Sequence, residues 1–287
     1  MGSTHSKGPC AYDILFSRRV LHIHERIFFS LDYESYKNCL EVSKTWNQLL
    51  TSASFKRKAE NVFCREIFDD AIYLYEACQK GKTSKVRRLL LSGLVNIDVE
   101  YGFDQSTYLT AAANKGHKDV VKLLLDRGAN PNKTNAIRVS PLSFASLRGN
   151  RGIVRMLLDF GADPNKDDFV GDTPLFHSVR GGHKKVVQVL LAFGALPNKA
   201  NTEIQTPLHE AARFGHTEIS QILLNAGANP NKADIEKKTP LHMATIHGNL
   251  DVYKVLRAGG GDPHRMDKYG RMPELYADPL TDSCNLQ

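Results

Sequence analysis

Histidine and cysteine are the residue types in this 287-residue chain that are best suited to chemistry. Histidine can move protons or hold a metal, and a cysteine thiolate can act as a nucleophile or a zinc ligand. The five cysteines are odd in number, widely scattered and never spaced as Cys-x-x-Cys; they are Cys10, Cys39, Cys64, Cys78 and Cys284. This distribution indicates reduced thiols rather than a zinc site or a disulfide framework.

The 11 histidines are interpreted as structural because most of them stand at repeated places. His209 and His242 follow Thr-Pro-Leu, whereas His117, His183 and His216 each follow a glycine. We expect these imidazoles to bond to nearby backbone or side-chain groups. The chain carries no His-Glu-x-x-His, no Gly-x-x-x-x-Gly-Lys and no Gly-x-Ser-x-Gly pattern. No catalytic residue, metal site or cofactor is predicted, and the chain is not expected to be an enzyme.

Composition and charge limit the environment and the partners. Hydrophobic residues make up 41% of the chain, yet no stretch reaches the roughly 18 apolar residues of a spanning helix, and residues 1–10 are too polar for a signal peptide. The expected location is the cytoplasm, with the nucleus as an alternative. The net charge is +7, but the basic clusters Lys56–Lys58 and Lys80–Arg88 are short. We interpret them as solvated faces and predict no nucleic-acid partner.

A period of 33 residues organises the elements that carry these side chains. It separates five prolines and two series of five glycines: Pro141, Pro174, Pro207, Pro240 and Pro273; Gly116 to Gly248; and Gly128 to Gly260. A fixed period of this length is typical of a stacked repeat architecture.

One unit, residues 168–200, shows what the period builds. Thr173 can cap a helix whose first residue is Pro174, since proline lacks the N–H that would be unpaired there. The helix should end near Gly182, and a second helix with apolar valines and leucines should end at Gly194. The residues between units are rich in Asn, Asp, Pro and Gly, which indicates a turn. Stacking of units then makes one continuous core.

The repeated string resembles the ankyrin repeat, reading TPLFHSVRGGHKKVVQVLLAFGALPN at 173–198 and TPLHEAARFGHTEISQILLNAGANPN at 206–231. The resemblance implies an all-α solenoid of helix–turn–helix units with β-turns. The unit at 103–133 has Thr107-Tyr108-Leu109 in place of Thr-Pro-Leu, and residues 71–98 form a divergent first repeat. We predict about six repeats and a partial C-terminal cap over residues 71–277.

Residues 21–59 do not follow the period and resemble an F-box. The resemblance is carried by Ile27-Phe28-Phe29-Ser30-Leu31-Asp32 and Val42-Ser43-Lys44-Thr45-Trp46, although His22 replaces the usual proline and Ser43 the usual cysteine. It implies docking on the Skp-family linker of a cullin–RING ubiquitin ligase, through Leu21, Ile23, Ile27, Leu31, Leu40, Val42 and Trp46. Alternatively, the same side chains pack as a helical cap on the first repeat. Residues 60–70 are interpreted as a linker helix.

The turn tips of the array are the predicted surface for a protein substrate, because their residues are not needed for stacking. They mix apolar and charged side chains, and the adjacent first helices add arginine and phenylalanine. The predicted contact residues are Ile137, Arg138, Phe169, Arg180, Ile204, Arg213, Phe214, Ile235 and Tyr269. Alternatively, some apolar tip side chains pack against the neighbouring tip.

The two tails, residues 1–20 and 278–287, are expected to be flexible and carry candidate lipidation sites. Gly2 begins a myristoylation pattern, with Cys10 as a candidate palmitoylation site, and Cys284 begins a Cys-a-a-X ending. Lipidation would bring membrane contact without a transmembrane segment.

The resulting function hypothesis is a non-catalytic substrate-recognition adaptor, monomeric outside the ligase complex. Its partners would be the Skp-family linker, the cullin complex and an unknown protein substrate. Two alternatives remain: an ankyrin scaffold or sequestering protein with no ligase link, and an effector of a host-associated organism.

Overall fold

The computed structural model describes residues 71–91, 96–101 and 104–276. From Ile72 onward these residues belong to one compact unit, and the description below concerns that unit. Its described residues form twelve α-helices, arranged as six pairs along the chain. They are α1 (71–79), α2 (Thr83–Leu91), α3 (Tyr108–Lys115), α4 (Lys118–Asp126), α5 (Pro141–Leu147), α6 (Arg151–Asp159), α7 (Pro174–Arg180), α8 (Lys184–Ala192), α9 (Pro207–Phe214), α10 (Thr217–Asn225), α11 (Pro240–Ile246) and α12 (Leu250–Ala258).

The first helix of each predicted Thr-Pro or Ser-Pro unit begins as the sequence indicates. Thr173 is the N-cap of α7, and its hydroxyl accepts a hydrogen bond from the backbone N–H of Phe176 at 3.2 Å. Helix α3 begins in the same way at Thr107, whose hydroxyl accepts from the Thr110 N–H at 3.1 Å. The absence of a proline at position 108 therefore does not prevent this helix from forming.

Glycines with positive φ separate the two helices of a pair and end the second. Gly182 has φ +69° and stands between α7 and α8, and Gly194 has φ +85° just beyond α8. A side chain on either glycine would meet the steric cost of the left-handed region. The predicted role of the two glycine series is confirmed.

Two rows of leucines form the core, one on each set of helices. All ten are fully buried: Leu109, Leu142, Leu175, Leu208 and Leu241 on first helices, and Leu124, Leu157, Leu190, Leu223 and Leu256 on second helices. Ala111–Ala113, Ala211 and Ala212 are buried as well, as expected for small residues that let neighbouring helices approach. Each leucine contributes about 1.5–3 kcal/mol through burial.

Four asparagines that follow the second helices join successive repeats through hydrogen bonds, and we call them the asparagine ladder. Asn132, Asn165, Asn198 and Asn231 each donate through Nδ2 to a glycine carbonyl of the next repeat and accept through Oδ1 from a backbone N–H there. The eight bonds measure 2.7–3.0 Å. The ladder was not foreseen in the sequence, although its members stand 33 residues apart.

The first and last units depart from the regular pattern. Between α2 and α3, the strands β1 (Glu100–Tyr101) and β2 (Ser106–Thr107) form a two-residue antiparallel pair, a small addition to the predicted all-α fold. At the other end, the 3₁₀ helix Pro273–Tyr276 takes the place of a further first helix. Its Tyr276 hydroxyl donates to Asp267 Oδ2 at 2.5 Å, which ties the partial cap to the last tip.

Candidate functional site: the tips and the ends of the first helices

Each tip between repeats is closed by a buried or half-buried Asn or Asp side chain. Its Oδ1 accepts backbone N–H groups further along the tip; in the second tip, Asp168 accepts from Val170 at 3.0 Å and from Asp172 at 2.9 Å. The residues with this role stand 33 apart and are Asn135, Asp168, Asn201, Asp234 and Asp267. Short side-chain-to-backbone bonds of this kind favour turns. The spacing was visible in the sequence, but this role was not assigned.

Backbone hydrogen bonds also join one tip to the next. The Phe169 N–H donates to the Ile137 carbonyl at 3.1 Å, and the Thr202 N–H donates to the Val170 carbonyl at 3.0 Å. The same link joins Ile235 to Glu203 at 3.2 Å. The tips therefore stand side by side along the array.

The apolar tip side chains predicted to contact a substrate are solvent-exposed. The exposed fraction is 57% for Ile137, 73% for Phe169, 43% for Ile204, 59% for Ile235 and 63% for Tyr269. These side chains are therefore accessible to a partner, while main-chain hydrogen bonds join neighbouring tips.

The charged tip residues are engaged in ion pairs and ring contacts. Arg138 lies 2.9 Å from Asp167 of the next tip. In the last tip, Tyr269 lies beneath the Lys268 ammonium and the Arg271 guanidinium, at 4.9 and 4.8 Å from its ring centre. Exposed cation–π contacts of this kind contribute about 0.5–1 kcal/mol each.

Arg180, at the end of α7, joins a tip to the next repeat. Its guanidinium lies 2.9 Å from Asp172 in the second tip and 2.6 Å from Glu210 on α9. Burial by itself would lower the pKa of Arg180, but hydrogen bonds and charge from Glu210 and Asp172 outweigh burial and raise it. The two carboxylate side chains are only 2% exposed. The deep burial of Glu210 was not foreseen, because its partner comes from the preceding repeat.

Arg213 and Phe214 occupy the corresponding end of α9. Arg213 lies 3.8 Å from Glu210, and its Nε is buried without a hydrogen-bond partner among the described residues. Phe214 is half-exposed and stacks on His216, with 6.0 Å between ring centres. The structure thus places Arg180 and Arg213 at equivalent positions near the ends of two first helices, with Phe214 next to Arg213.

The repeated histidines act as structural hydrogen-bonding groups, as predicted. His209 Nδ1 accepts from the Thr206 N–H at 3.1 Å, and its Nε2 lies 3.1 Å from the Lys238 carbonyl. His242 repeats both contacts, whereas the Nε2 atoms of His117 and His183 lie 2.8 and 2.9 Å from carbonyls of the preceding repeat. Burial lowers the pKa of His209 to about 4, so this imidazole is neutral at pH 7. The exception is His216, whose Nε2 is buried without a partner in the described part of the chain.

Asp168, Asp172 and His177 form a buried cluster whose potential ligand atoms lie within 4.8 Å of one another. His177 Nε2 lies 3.0 Å from Asp168 Oδ2, and Asp172 is paired with Arg180. Burial would raise the pKa of Asp168, but bonds from His177 and from backbone N–H groups lower it overall. These contacts satisfy the two carboxylates within the protein, whereas His177 Nδ1 is buried without a hydrogen-bond partner among the described residues.

Several predicted functional residues lie outside the described residues. They are the F-box-like set Leu21, Ile23, Ile27, Leu31, Leu40, Val42 and Trp46 and the candidate lipidation sites Gly2, Cys10 and Cys284. Of the cysteines, Cys78 is described: it is fully buried, and burial raises the pKa of its thiol to about 12, so it is not a reactive thiolate. Among the described helices, none has the length and apolarity needed to cross a membrane.

The fold and its exposed tips define a helical repeat array suited to binding other proteins. Family models described as "Ankyrin repeats (many copies)", "Ankyrin repeat" and "Ankyrin repeats (3 copies)" match residues 109–158, 170–202 and 194–267. The chain therefore contains ankyrin repeats, as the 33-residue period predicted.

Among solved structures, the array is similar to the crystal structure of the human ASB11 ankyrin repeat domain. The sequences are 27% identical, the TM-score is 0.66, and the match covers 72% of this chain and 92% of that one. Comparison with curated proteins gave no significant match.

Proposed function

We propose that this chain is a non-catalytic substrate-recognition subunit of a cullin–RING ubiquitin ligase. In this proposal the array holds a protein substrate, and residues 21–59 engage a Skp-family linker. The observation that supports substrate recognition is the series of exposed apolar tip side chains, from Ile137 to Tyr269, which repeat along the array. The linker half is supported by the F-box resemblance of residues 21–59.

The mechanism would be proximity. Holding a substrate lysine near the ligase's charged ubiquitin carrier raises the effective concentration of the two reactants, so this chain needs no reactive group of its own. The neutral, hydrogen-bonded His209 and the inert Cys78 are consistent with a structural use of these residue types.

Co-purification with a Skp-family linker tests the ligase half. The full chain should co-elute with a recombinant linker in size-exclusion chromatography. Ile27→Asp with Leu31→Asp should abolish this complex, whereas Phe169→Ser with Ile204→Ser in the tips should leave it intact. A folded full chain that never binds the linker would refute the ligase assignment while leaving protein recognition by the array in place.

The second candidate is a scaffold or sequestering protein without a ligase link. The exposed tips belong to the array and would bind a protein with or without a ligase, and the lipidation patterns of Gly2 and Cys284 would allow anchoring. In cells fed alkynyl lipid analogues, a lipid-anchored scaffold should incorporate myristate or an isoprenoid. Gly2→Ala and Cys284→Ser should remove the respective label. A chain that incorporates neither lipid would exclude the anchored form.

A further inference from the structure

Three neighbouring tips, residues 135–139, 168–172 and 201–205, each carry at least one exposed large apolar side chain. We call Ile137, Phe169, Val170 and Ile204 the apolar tip strip; their exposed fractions run from 43% to 73%. The fourth and fifth tips are different. Glu236 pairs there with Lys238 and Lys268, and two cations lie over the ring of Tyr269. Their exposed side chains are thus partly engaged within the array.

Ile204 occupies a backbone position that disfavours it. Its φ is +60°, in the left-handed region, and the equivalent positions of two other tips are Gly171 and Gly270. A β-branched residue is rare at such an angle because its side chain crowds the backbone. Glycine would close the same turn with less strain, so the fold alone does not explain an isoleucine here. Strained, exposed residues of this kind occur at binding sites.

Beside the strip, the ends of four first helices present cations. We call Lys115, Arg148, Arg180 and Arg213 the basic helix-end row; the 2.9 Å contact between Arg180 and Asp172 places Arg180 against the second tip. Arg148 bonds to a neutral group, the Asn114 amide oxygen, at 3.2 Å.

The carboxylates next to the basic helix-end row do not face the solvent. Asp172 and Glu210 are 2% exposed and lie beneath the guanidinium groups, and these two carboxylates do not balance four cations. Glu203 is an exposed carboxylate in the third tip, so an approaching protein meets four cations and this one solvent-facing carboxylate next to the apolar tip strip.

Building on the proposed function, we infer that the partner presents an extended segment in which apolar side chains stand close to Asp or Glu residues. Its apolar side chains cover the apolar tip strip and remove it from water. Its carboxylates bind the basic helix-end row, where guanidinium groups offer paired donors. A segment rich in Lys or Arg would be rejected, because like charges would be brought together.

Selection from a random peptide library displayed on phage tests the charge preference with the full chain as bait. The selected peptides should combine Asp or Glu with aliphatic or aromatic residues, and their affinity should fall as salt is added. Arg148→Glu with Arg213→Glu should weaken binding of these peptides by about tenfold. The matched control is Lys122→Glu with Lys185→Glu, which makes the same charge change at exposed positions of second helices. It should leave binding within about twofold.

The apolar half is tested with two glycine substitutions at equivalent strained positions. Ile204→Gly should weaken binding of the selected peptides by about tenfold. Lys237→Gly relieves a φ of +59° in the fourth tip and should not weaken binding. Selected peptides that lack acidic residues, or that bind the Arg148→Glu/Arg213→Glu variant equally well, would overturn the inference, as would failure to select any peptide. Selection of peptides with another composition would still support protein recognition by the array.

Discussion

The left-handed tip residues make a prediction at the scale of single side chains. A non-glycine residue in the left-handed region costs about 1–2 kcal/mol. Glycine removes this cost but increases the entropy of the unfolded chain, so Ile204→Gly should raise the free energy of unfolding by only about 0.5–1 kcal/mol. Urea denaturation measures this. Ile235→Gly is the matched control, since Ile235 lies in a tip but not among the residues with positive φ, and it should lower stability. A loss of stability in Ile204→Gly as large as that in the control would show that the Ile204 turn is unstrained.

A buried histidine makes the stability of the array depend on pH. The pKa of His209 is about 4 in the folded chain, below the ordinary value of 6.5, because burial disfavours the charged form. Above pH 6.5 the imidazole of His209 is neutral in both the folded and the unfolded chain. Between pH 6.5 and 4 it is protonated in the unfolded chain but still neutral in the folded chain. The stability due to neutral His209 is therefore lost as the pH falls through this window, by about 2 kcal/mol between pH 7 and 5.

Urea denaturation at pH 7 and pH 5 measures this loss. The variant His209→Gln should show a smaller loss over the same interval, since it has no imidazole at this position. An equal loss in the variant would show that other groups carry the pH dependence. The lowered pKa of His242, which burial also causes, acts in the same direction and remains in both proteins.

At the scale of secondary-structure elements, the asparagine ladder should stabilise the stack. Asn165 makes two bonds to the next repeat, from Nδ2 to the Gly194 carbonyl at 3.0 Å and from the Leu196 N–H to Oδ1 at 2.8 Å. Asn165→Ala should lower the free energy of unfolding by about 1–2 kcal/mol. Asn225→Ala is the control, because Asn225 bonds to Gln221 within the same helix, and it should change stability by less than about 0.5 kcal/mol. Equal effects of the two substitutions on the free energy of unfolding would show that the ladder does not stabilise the stack.

Element boundaries could be predicted from the sequence because their determinants are local. Thr173 and Pro174 mark a helix start through one side-chain acceptor and one missing donor, and Gly182 marks an end through its positive φ. The contacts that were missed depend on the neighbouring repeat. From the sequence alone Glu210 would be predicted at the surface, but in the structure it is buried against Arg180 of the preceding repeat. Asn165 would be predicted as a loop residue, but its side chain bonds to the next repeat. The 33-residue period and the capping residues are enough to predict the helices. The side-chain contacts between repeats can be identified only from the stacked structure.

At the scale of the whole molecule, the function depends on whether residues 21–59 bind a linker or support the array. If their apolar side chains bind a linker, Ile27→Asp with Leu31→Asp abolishes linker binding and leaves the thermal unfolding of the array unchanged. If they form a cap, each aspartate is forced into a packed apolar site, and the unfolding midpoint falls by more than about 5 °C. Differential scanning calorimetry of the full chain, read beside linker binding, separates these outcomes. Lys44→Asp introduces the same residue at a polar position of that segment and should change neither quantity. A lower midpoint with linker binding retained would assign Ile27 and Leu31 to packing and place the linker contact on other residues, whereas a lower midpoint in a chain that never binds the linker would remove the basis for the ligase proposal.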